Sequence, residues 1–201
     1  MKGIKFIYFD IGGVLLYHIN SLKTIARKYS LLEKDVLKLF NDYGDDLDRG
    51  TLGLQKFEEI FYSKLKPSLE LKNSFFTEFV SNLKSIKETY NLVLDLQSRF
   101  KIGLLSNIPE DLFDLIANKN LLPNIKYSVV VKSGQLKMIK PEKQIFEYAL
   151  KKSGVLPSQI LFIDDTKVNL QAAEGFGFNT YLFNTLNPKQ SVAEINNILL
   201  L

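Results

Sequence analysis

Short, nearly continuous apolar runs recur along the chain, and such runs are typical of strands buried on both faces of a sheet. They cover residues 4–10, 101–106, 127–131, 160–164 and 180–183. Segments with apolar residues at helical spacing separate or follow them, over residues 109–118, 141–152, 168–176 and 192–201. This alternation predicts an α/β fold, with a Rossmann-like parallel sheet, helices on both of its faces and right-handed crossovers.

Residues 17–84 break the alternation, because every pattern there is helical. Apolar stripes on these helices can bury one another in a small bundle. The stripes are Leu22, Ile25, Ala26 and Tyr29; Val36, Leu37, Phe40 and Tyr43; Leu54, Phe57, Ile60 and Phe61; and Phe75, Phe76, Phe79 and Val80. We therefore predict a core domain of residues 1–16 and 85–201, interrupted by a helical insert of residues 17–84.

Composition excludes several kinds of chemistry. The 201 residues include no cysteine, which excludes disulfides, thiolate metal sites and cysteine nucleophiles, and the single histidine excludes a multi-histidine metal site. The net charge of +4 is scattered, which favours solvated helix faces over a nucleic-acid partner. No apolar run has the length of a membrane span or a signal-peptide core, so we expect a cytoplasmic protein with no membrane partner.

Polar residues follow the predicted strands where those strands end. Asp10 ends the first strand, Ser106 and Asn107 end the second, and Asp164 and Asp165 end the fourth. Open parallel sheets bind ligands beyond the carboxyl ends of their strands, so we expect these side chains to meet there.

The charges of these residues predict a chemistry. Three converging carboxylates repel one another, and a hard cation with oxygen ligands, such as Mg²⁺, resolves the conflict. Lys140 adds a cation for a phosphoryl group, and the next residue, Pro141, is predicted at the first position of a helix. One carboxylate then remains to attack phosphorus. The expected donors to the phosphoryl oxygens are the hydroxyl of Ser106 and the backbone N–H groups of Gly12, Gly13 and Asn107.

In chain order, the segments Phe-Asp-x-Gly-Gly-Val, Leu-Ser-Asn, Lys-Pro-Glu and Phe-Ile-Asp-Asp-x-x-x-Asn resemble the four motifs of the haloacid dehalogenase superfamily. The resemblance covers essentially the whole chain, and it identifies the helical insert with that superfamily's cap. It implies a magnesium-dependent phosphatase that hydrolyses a small phosphorylated metabolite through an aspartyl-phosphate on Asp10. It also implies that Ser106 and Lys140 act with Asp10 in catalysis.

The resemblance further implies a set of metal ligands. Asp10, Asp165 and the main-chain carbonyl of Gly12 would bind Mg²⁺, and Asp164 would bind it directly or through a water molecule. Asn169 would brace the loop behind them.

Gly12 departs from the pattern of the family's phosphatases, which usually have a second aspartate there to protonate the leaving group. Such help is typically worth roughly 10²–10⁴-fold in rate. The branch of the family with α-glucose-1-phosphate phosphatase activity also has this glycine, so a sugar 1-phosphate is the preferred substrate. Two alternatives remain open: a weak or inactive protein that binds phosphate or a partner, and, less favoured, a 2-haloacid dehalogenase, whose fourth motif lacks the acidic pair.

Two further residues have open roles. His18 follows the first strand and is interpreted first as a surface histidine, with substrate contact or replacement of the missing proton shuttle as alternatives. Arg49 lies in the insert and either contacts substrate or forms a salt bridge. The sequence predicts no oligomeric state.

Overall fold

A parallel sheet of five strands runs through the computed structural model, which describes residues 3–67 and 74–200. Residues 1, 2, 68–73 and 201, which belong to the predicted domains, lie outside the described residues. The described strands are β1 (Phe6–Phe9), β2 (Leu16–Tyr17), β3 (Lys84–Ser85), β4 (Lys101–Ser106), β5 (Val129–Lys132), β6 (Ile160–Asp164) and β7 (Asn179–Leu182). The sheet order is β5-β4-β1-β6-β7, which confirms the predicted Rossmann-like α/β fold.

Helices cover both faces of the sheet. They are α1 (Ile19–Lys28), α2 (Glu33–Asp48), α3 (Leu54–Leu65), α4 (Phe75–Asn82), α5 (Lys87–Leu96), α6 (Glu110–Asn118), α7 (Ser133–Leu136), α8 (Lys143–Ser153), α9 (Lys167–Glu174) and α10 (Pro188–Leu200). Successive side chains of a strand point to opposite faces. In β1, Ile7 and Phe9 therefore join the apolar cluster with α5 and α10, and Phe6 and Tyr8 join the cluster with α8 and α9.

The helical insert leaves and rejoins the sheet domain through a short antiparallel pair. Leu16 pairs with Ser85 and Tyr17 with Lys84, so β2 and β3 bring the two ends of the insert together. Inside the insert, α1 packs on α2 and α4, and α2 packs on α3. The predicted phenylalanine stripe forms its centre, where the ring of Phe75 contacts the rings of Phe40, Phe57 and Phe61.

One predicted helix start is wrong. Pro141 is not the first residue of α8, which begins at Lys143 with Glu142 as its N-cap. The N–H of Glu142 donates to the carbonyl of Ile139 (2.8 Å), and this turn occupies the residues before the helix. The Lys140–Pro141 peptide bond in the turn is cis.

Within residues 3–67 and 74–200, no helix is both long enough and apolar enough to cross a bilayer.

Candidate active site

The three central strands place polar side chains at one edge of the sheet. Phe9 of β1 lies beside Leu104 of β4 and Ile163 of β6, so Asp10 emerges level with the ends of both neighbours. The N–H of Asp10 donates to the carbonyl of Ile163 (2.9 Å), which continues the ladder to the nucleophile candidate. The parallel register thus brings distant parts of the chain to one site.

Lys140 lies between two of the carboxylates. Its Nζ is 3.0 Å from Oδ1 of Asp10 and 2.6 Å from Oδ2 of Asp164, and only 1% of its side chain is exposed. Burial alone disfavours the ammonium, but the two carboxylates outweigh burial and raise the pKa of Lys140. Lys140 is therefore a permanent cation in this site at neutral pH.

Asn107 holds the main chain of Lys140 from both sides. The Asn107 amide donates to the Lys140 carbonyl (2.9 Å), and the Lys140 N–H donates to Oδ1 of Asn107 (2.7 Å). From sequence, Asn107 was predicted to contribute only its backbone N–H, as a donor to phosphate. In the structure its side chain also connects the loop of Lys140 to the end of β4.

Asp164 is surrounded by donors on both of its oxygens. Oδ1 accepts from the N–H of Thr166 (2.7 Å), the Asn169 amide lies 3.2 Å from each oxygen, and Lys140 completes the set. Asn169 therefore lies where the sequence predicted a brace. These partners fix the orientation of Asp164 and, through it, of Lys140.

Asp10, Asp164 and Asp165 form a cluster in which each offers a carboxylate oxygen within 4.8 Å of the others. Three carboxylates face one lysine, so the cluster has an excess of negative charge when all are ionised. Burial, and then the charge of Asp164, raises the pKa of Asp165. Burial also raises the pKa of Asp10, against the opposing effects of Lys140 and of the Ser106 hydroxyl. An all-oxygen set with excess negative charge fits a hard divalent cation.

The backbone N–H of Gly13, one of the predicted phosphate donors, has an acceptor within the protein. It donates to the carbonyl of Leu16 (2.9 Å), because the chain turns back on itself after β1. The residue has a φ of +73°, and a Cβ there would lie 1.9 Å from Oδ2 of Asp165. Gly13 is thus required by backbone conformation and by the close approach of Asp165.

His18 is half-buried, whereas the interpretation preferred from sequence was a plain surface histidine. The start of α1 turns its imidazole inward against the loop of Gly12, where Nδ1 is buried and has no hydrogen-bond partner among the described residues. Burial lowers the pKa of His18, which the negative charge of Asp10 partly offsets. The histidine therefore lies in the candidate site, and it lines the same cavity as Asp10.

Arg49 forms the salt bridge that was one of its two predicted roles. Its guanidinium pairs with both carboxylate oxygens of Glu142, at 2.7 and 2.9 Å. Beside it, the ammonium of Lys137 donates to the carbonyl of Gly50 (2.6 Å). The end of α2 is thus fastened to the loop that contains Lys140.

A cavity of about 670 Å³ opens between the insert and the carboxyl edge of the sheet. Asp10, Ser106, Asn107, Lys140 and Asp165 lie on its floor.

One further carboxyl group reaches this cavity from the insert. Asp48 is the last residue of α2 and lines the cavity together with Asp10 and Lys140. Burial, and then the charge of Asp10, raises the pKa of Asp48 to about 8. Asp48 was not among the site residues predicted from sequence. Its helical spacing from Asn41 and Asp45, which indicates a shared polar face, could have identified it.

Two bacterial phosphatases are similar to this chain over most of their length, and a mouse protein over a small part of its length. The chain is 26% identical over 194 residues to D-ribitol-5-phosphate phosphatase of Bacteroides thetaiotaomicron, which covers 89% of this chain and 91% of that protein. It is 22% identical over 215 residues to phosphorylated carbohydrates phosphatase of Thermotoga maritima, covering 96% and 92%. It is 24% identical over 213 residues to acyl-CoA dehydrogenase family member 10 of Mus musculus; that match takes in 98% of this chain but spans only 19% of the relative.

Solved structures show the same fold. A protein from Porphyromonas gingivalis described as a predicted HAD-like family hydrolase has a TM-score of 0.77 at 25% identity, with 98% of each chain covered. A HAD family enzyme from Bacteroides thetaiotaomicron, in complex with magnesium and inorganic phosphate, has a TM-score of 0.72 at 23% identity, covering 91% of this chain and 96% of that one.

A family model completes the comparison. The model described as haloacid dehalogenase-like hydrolase matches residues 4–177, which include every predicted site residue. The narrower resemblance to the glucose-1-phosphate phosphatase branch stays a prediction. With this match, and with the fold and the strand-edge cluster in place, the chain belongs to the haloacid dehalogenase-like hydrolase family.

Proposed function

We propose that this chain is a magnesium-dependent phosphatase that hydrolyses a small phosphate monoester, with residues 17–84 as a cap. The observation that carries the proposal is the position of Lys140 between Asp10 and Asp164, beside Asp165 and at the floor of a cavity. Two relatives are named phosphatases of ribitol 5-phosphate and of phosphorylated carbohydrates, which supports a sugar phosphate as substrate.

The carboxylate cluster would hold the metal. Asp10, Asp165 and the carbonyl of Gly12 would be ligands of Mg²⁺, with Asp164 binding directly or through water, and the ion would offset the charge of the phosphoryl group. A structural neighbour that contains magnesium and phosphate supports this choice of ion.

Asp10, Lys140 and Ser106 have separate roles in the proposed reaction. A carboxylate oxygen of Asp10 attacks phosphorus, the bond from phosphorus to the ester oxygen breaks, and an acyl phosphate forms on Asp10. Lys140 and the hydroxyl of Ser106 neutralise and bind the transferring oxygens. Water then attacks phosphorus, which releases inorganic phosphate and restores the Asp10 carboxylate.

Gly12 limits which alcohols can leave. It supplies no carboxyl group to protonate the ester oxygen, so substrates whose alcohol is already acidic are favoured. The anomeric hydroxyl of a sugar is more acidic than an ordinary alcohol, and a sugar 1-phosphate is therefore the preferred substrate within this proposal.

Gly12 also favours a second candidate, a protein that binds phosphate esters without turning them over. The two candidates agree on affinity for phosphate and differ in the release of inorganic phosphate. The retained ion pair between Asp10 and Lys140 favours the enzyme, because binding alone does not need a nucleophile held in place.

The test is phosphate release from p-nitrophenyl phosphate and a panel of sugar phosphates, with Mg²⁺ and with EDTA. We expect activity that needs Mg²⁺ and that Asp10→Asn abolishes, while Asp95→Asn, an exposed carboxylate on α5, leaves it intact. Protein that is denatured with acid during turnover should contain one phosphoryl group on Asp10, which mass spectrometry detects. Activity that survives both EDTA and Asp10→Asn would overturn the proposal, and phosphate binding without turnover would favour the second candidate.

A further inference from the structure

The face of α2 that lines the cavity changes in character along the helix. Leu37, Phe40, Asn41, Asp45 and Asp48 all line it, and this spacing places them on a single helix face. The face is apolar at Leu37 and Phe40, has an amide at Asn41, and ends in two carboxyl groups. A molecule in the cavity therefore meets a gradient from apolar to polar.

The polar end of this gradient adjoins the catalytic cluster. Arg49, the residue after Asp48, pairs with Glu142 two residues beyond Lys140, so that end of α2 is the near end. The hydroxyl of Ser133 donates to the Asp48 carbonyl and accepts from the N–H of Ile108 (2.7 Å), which joins α2 to the loop after β4. The helix is thus held in this direction over the site.

The apolar end of this face is far from the carboxylate cluster. Apolar side chains of two more helices line the cavity there. A rise of about 1.5 Å per residue separates Leu37 from Asp48 by roughly 16 Å along the axis. Phe79 of α4 and Leu112 of α6 line the same cavity from opposite domains. A hydroxyl group buried against these side chains would lose its hydrogen bonds with water, which lowers affinity by about tenfold for each such group.

We propose that the substrate is an amphipathic phosphate monoester, hydroxylated beside the phosphate and apolar at its far end. This inference rests on the proposed phosphatase function and narrows its substrate class. The hydroxyl groups lie against Asn41, Asp45 and Asp48, and the apolar end lies between Phe40, Phe79 and Leu112. An unsubstituted sugar phosphate would fill only the near part of the cavity, so the inference narrows the sugar and polyol phosphates to those with an apolar substituent.

The test uses 1-O-methyl, 1-O-butyl and 1-O-hexyl ethers of glycerol 3-phosphate, with ribitol 5-phosphate as the fully hydroxylated comparison. Each buried methylene is worth about two- to fourfold in affinity. We expect kcat/KM to rise at least about thirtyfold from the methyl to the hexyl ether. A flat series, or a larger kcat/KM for ribitol 5-phosphate than for every ether, would overturn the inference.

Two leucines on α6 make a matched pair of variants. Leu112 and Leu115 are both half-buried, and only Leu112 lines the cavity. We expect Leu112→Asn to lower kcat/KM for the hexyl ether about tenfold, through KM, and for the methyl ether less than twofold. Leu115→Asn should leave kcat/KM unchanged for both ethers. Leu37→Asn, on the other wall, is a second variant with the same expectation if Leu112→Asn fails to fold.

The two proposals fail in different ways. If neither these esters nor p-nitrophenyl phosphate is hydrolysed, the phosphatase proposal fails, and calorimetry of the same ethers with the wild-type chain decides the inference alone. If only p-nitrophenyl phosphate is hydrolysed, the phosphatase proposal stands and the same calorimetry decides the inference. Affinity that rises with ether length supports an amphipathic ligand, and affinity independent of length refutes it.

Discussion

The imidazole of His18 occupies the space that a side chain at position 12 would enter, with Nδ1 3.3 Å from an ideal Cβ on Gly12. Gly12 does not have a positive φ, so its backbone conformation accepts other residues. The constraint at this position is therefore the neighbouring histidine. The half-buried imidazole thus lies directly beside position 12, next to the nucleophile candidate.

Restoring an acid at position 12 should raise turnover. We expect Gly12→Asp to increase kcat on alkyl phosphates by about 10-fold or more and to change kcat on p-nitrophenyl phosphate little, because only the first class needs a protonated leaving group. The contact of 3.3 Å is tight, so Gly12→Asp combined with His18→Ala should show the larger gain. Steady-state kinetics on both ester classes measure this. No gain in either variant would refute our account of Gly12.

Binding of Mg²⁺ should stabilise the fold. A ligand at one hundred times its Kd adds about 2.7 kcal/mol, which raises Tm by roughly 5–10 °C for a chain of this size. Thermal unfolding with Mg²⁺ and with EDTA measures the difference without any assay of activity. Asp165→Asn should remove it, whereas Asp45→Asn, outside the carboxylate cluster, should keep it. An equal shift in both variants would place the ion elsewhere.

Asp48 should make stability depend on pH. An unfolded aspartate ionises near pH 4, and the folded pKa is about 8, so between these values the folded state holds a proton that the unfolded state has lost. Stability should therefore fall as pH rises from about 4 to 8 and then level off. Asp48→Asn resembles the protonated form. It should match the wild type near pH 4 and exceed it by about 1–3 kcal/mol above pH 8.

Urea unfolding at several pH values measures this difference. Asp114→Asn, an exposed carboxylate on α6, controls for the loss of one negative charge. A gap between wild type and Asp48→Asn that does not change with pH would show that the Asp48 carboxyl does not retain its proton in the folded state.

The turn at Gly50 should be intolerant of a side chain. Its φ is +67°, and a Cβ would lie 2.9 Å from the carbonyl oxygen of Gly134 and 2.8 Å from Nζ of Lys137. We expect Gly50→Ala to lower the free energy of unfolding by about 2–3 kcal/mol, from backbone strain and the contact with Gly134. Gly53→Ala, in open space three residues later, should lower it by a few tenths. Equal losses in the two variants would contradict the contact across the domains.

Local patterns account for the parts of this protein that the sequence predicted. The apolar runs at residues 101–106 and 160–164 coincide with β4 and β6. A strand that is buried on both faces needs apolar side chains at nearly every position, so its sequence is a continuous apolar run. The same patterns located Asp10, Ser106, Asp164 and Asp165, since each is the last residue of such a strand or the residue directly after it. Lys140 was located by its place before Pro141 in the order of the motifs, because it lies in a turn between elements.

Only the tertiary structure decided how those residues and their neighbours are used. The N–H of Gly13 donates to the carbonyl of Leu16, the imidazole of His18 faces the loop of Gly12, and Asp48 reaches the cavity from the insert. Each outcome depends on how the insert lies over the sheet, through contacts such as that between Arg49 and Glu142. Periodicity tells which face of a helix is apolar, but it does not tell which distant surface that face meets.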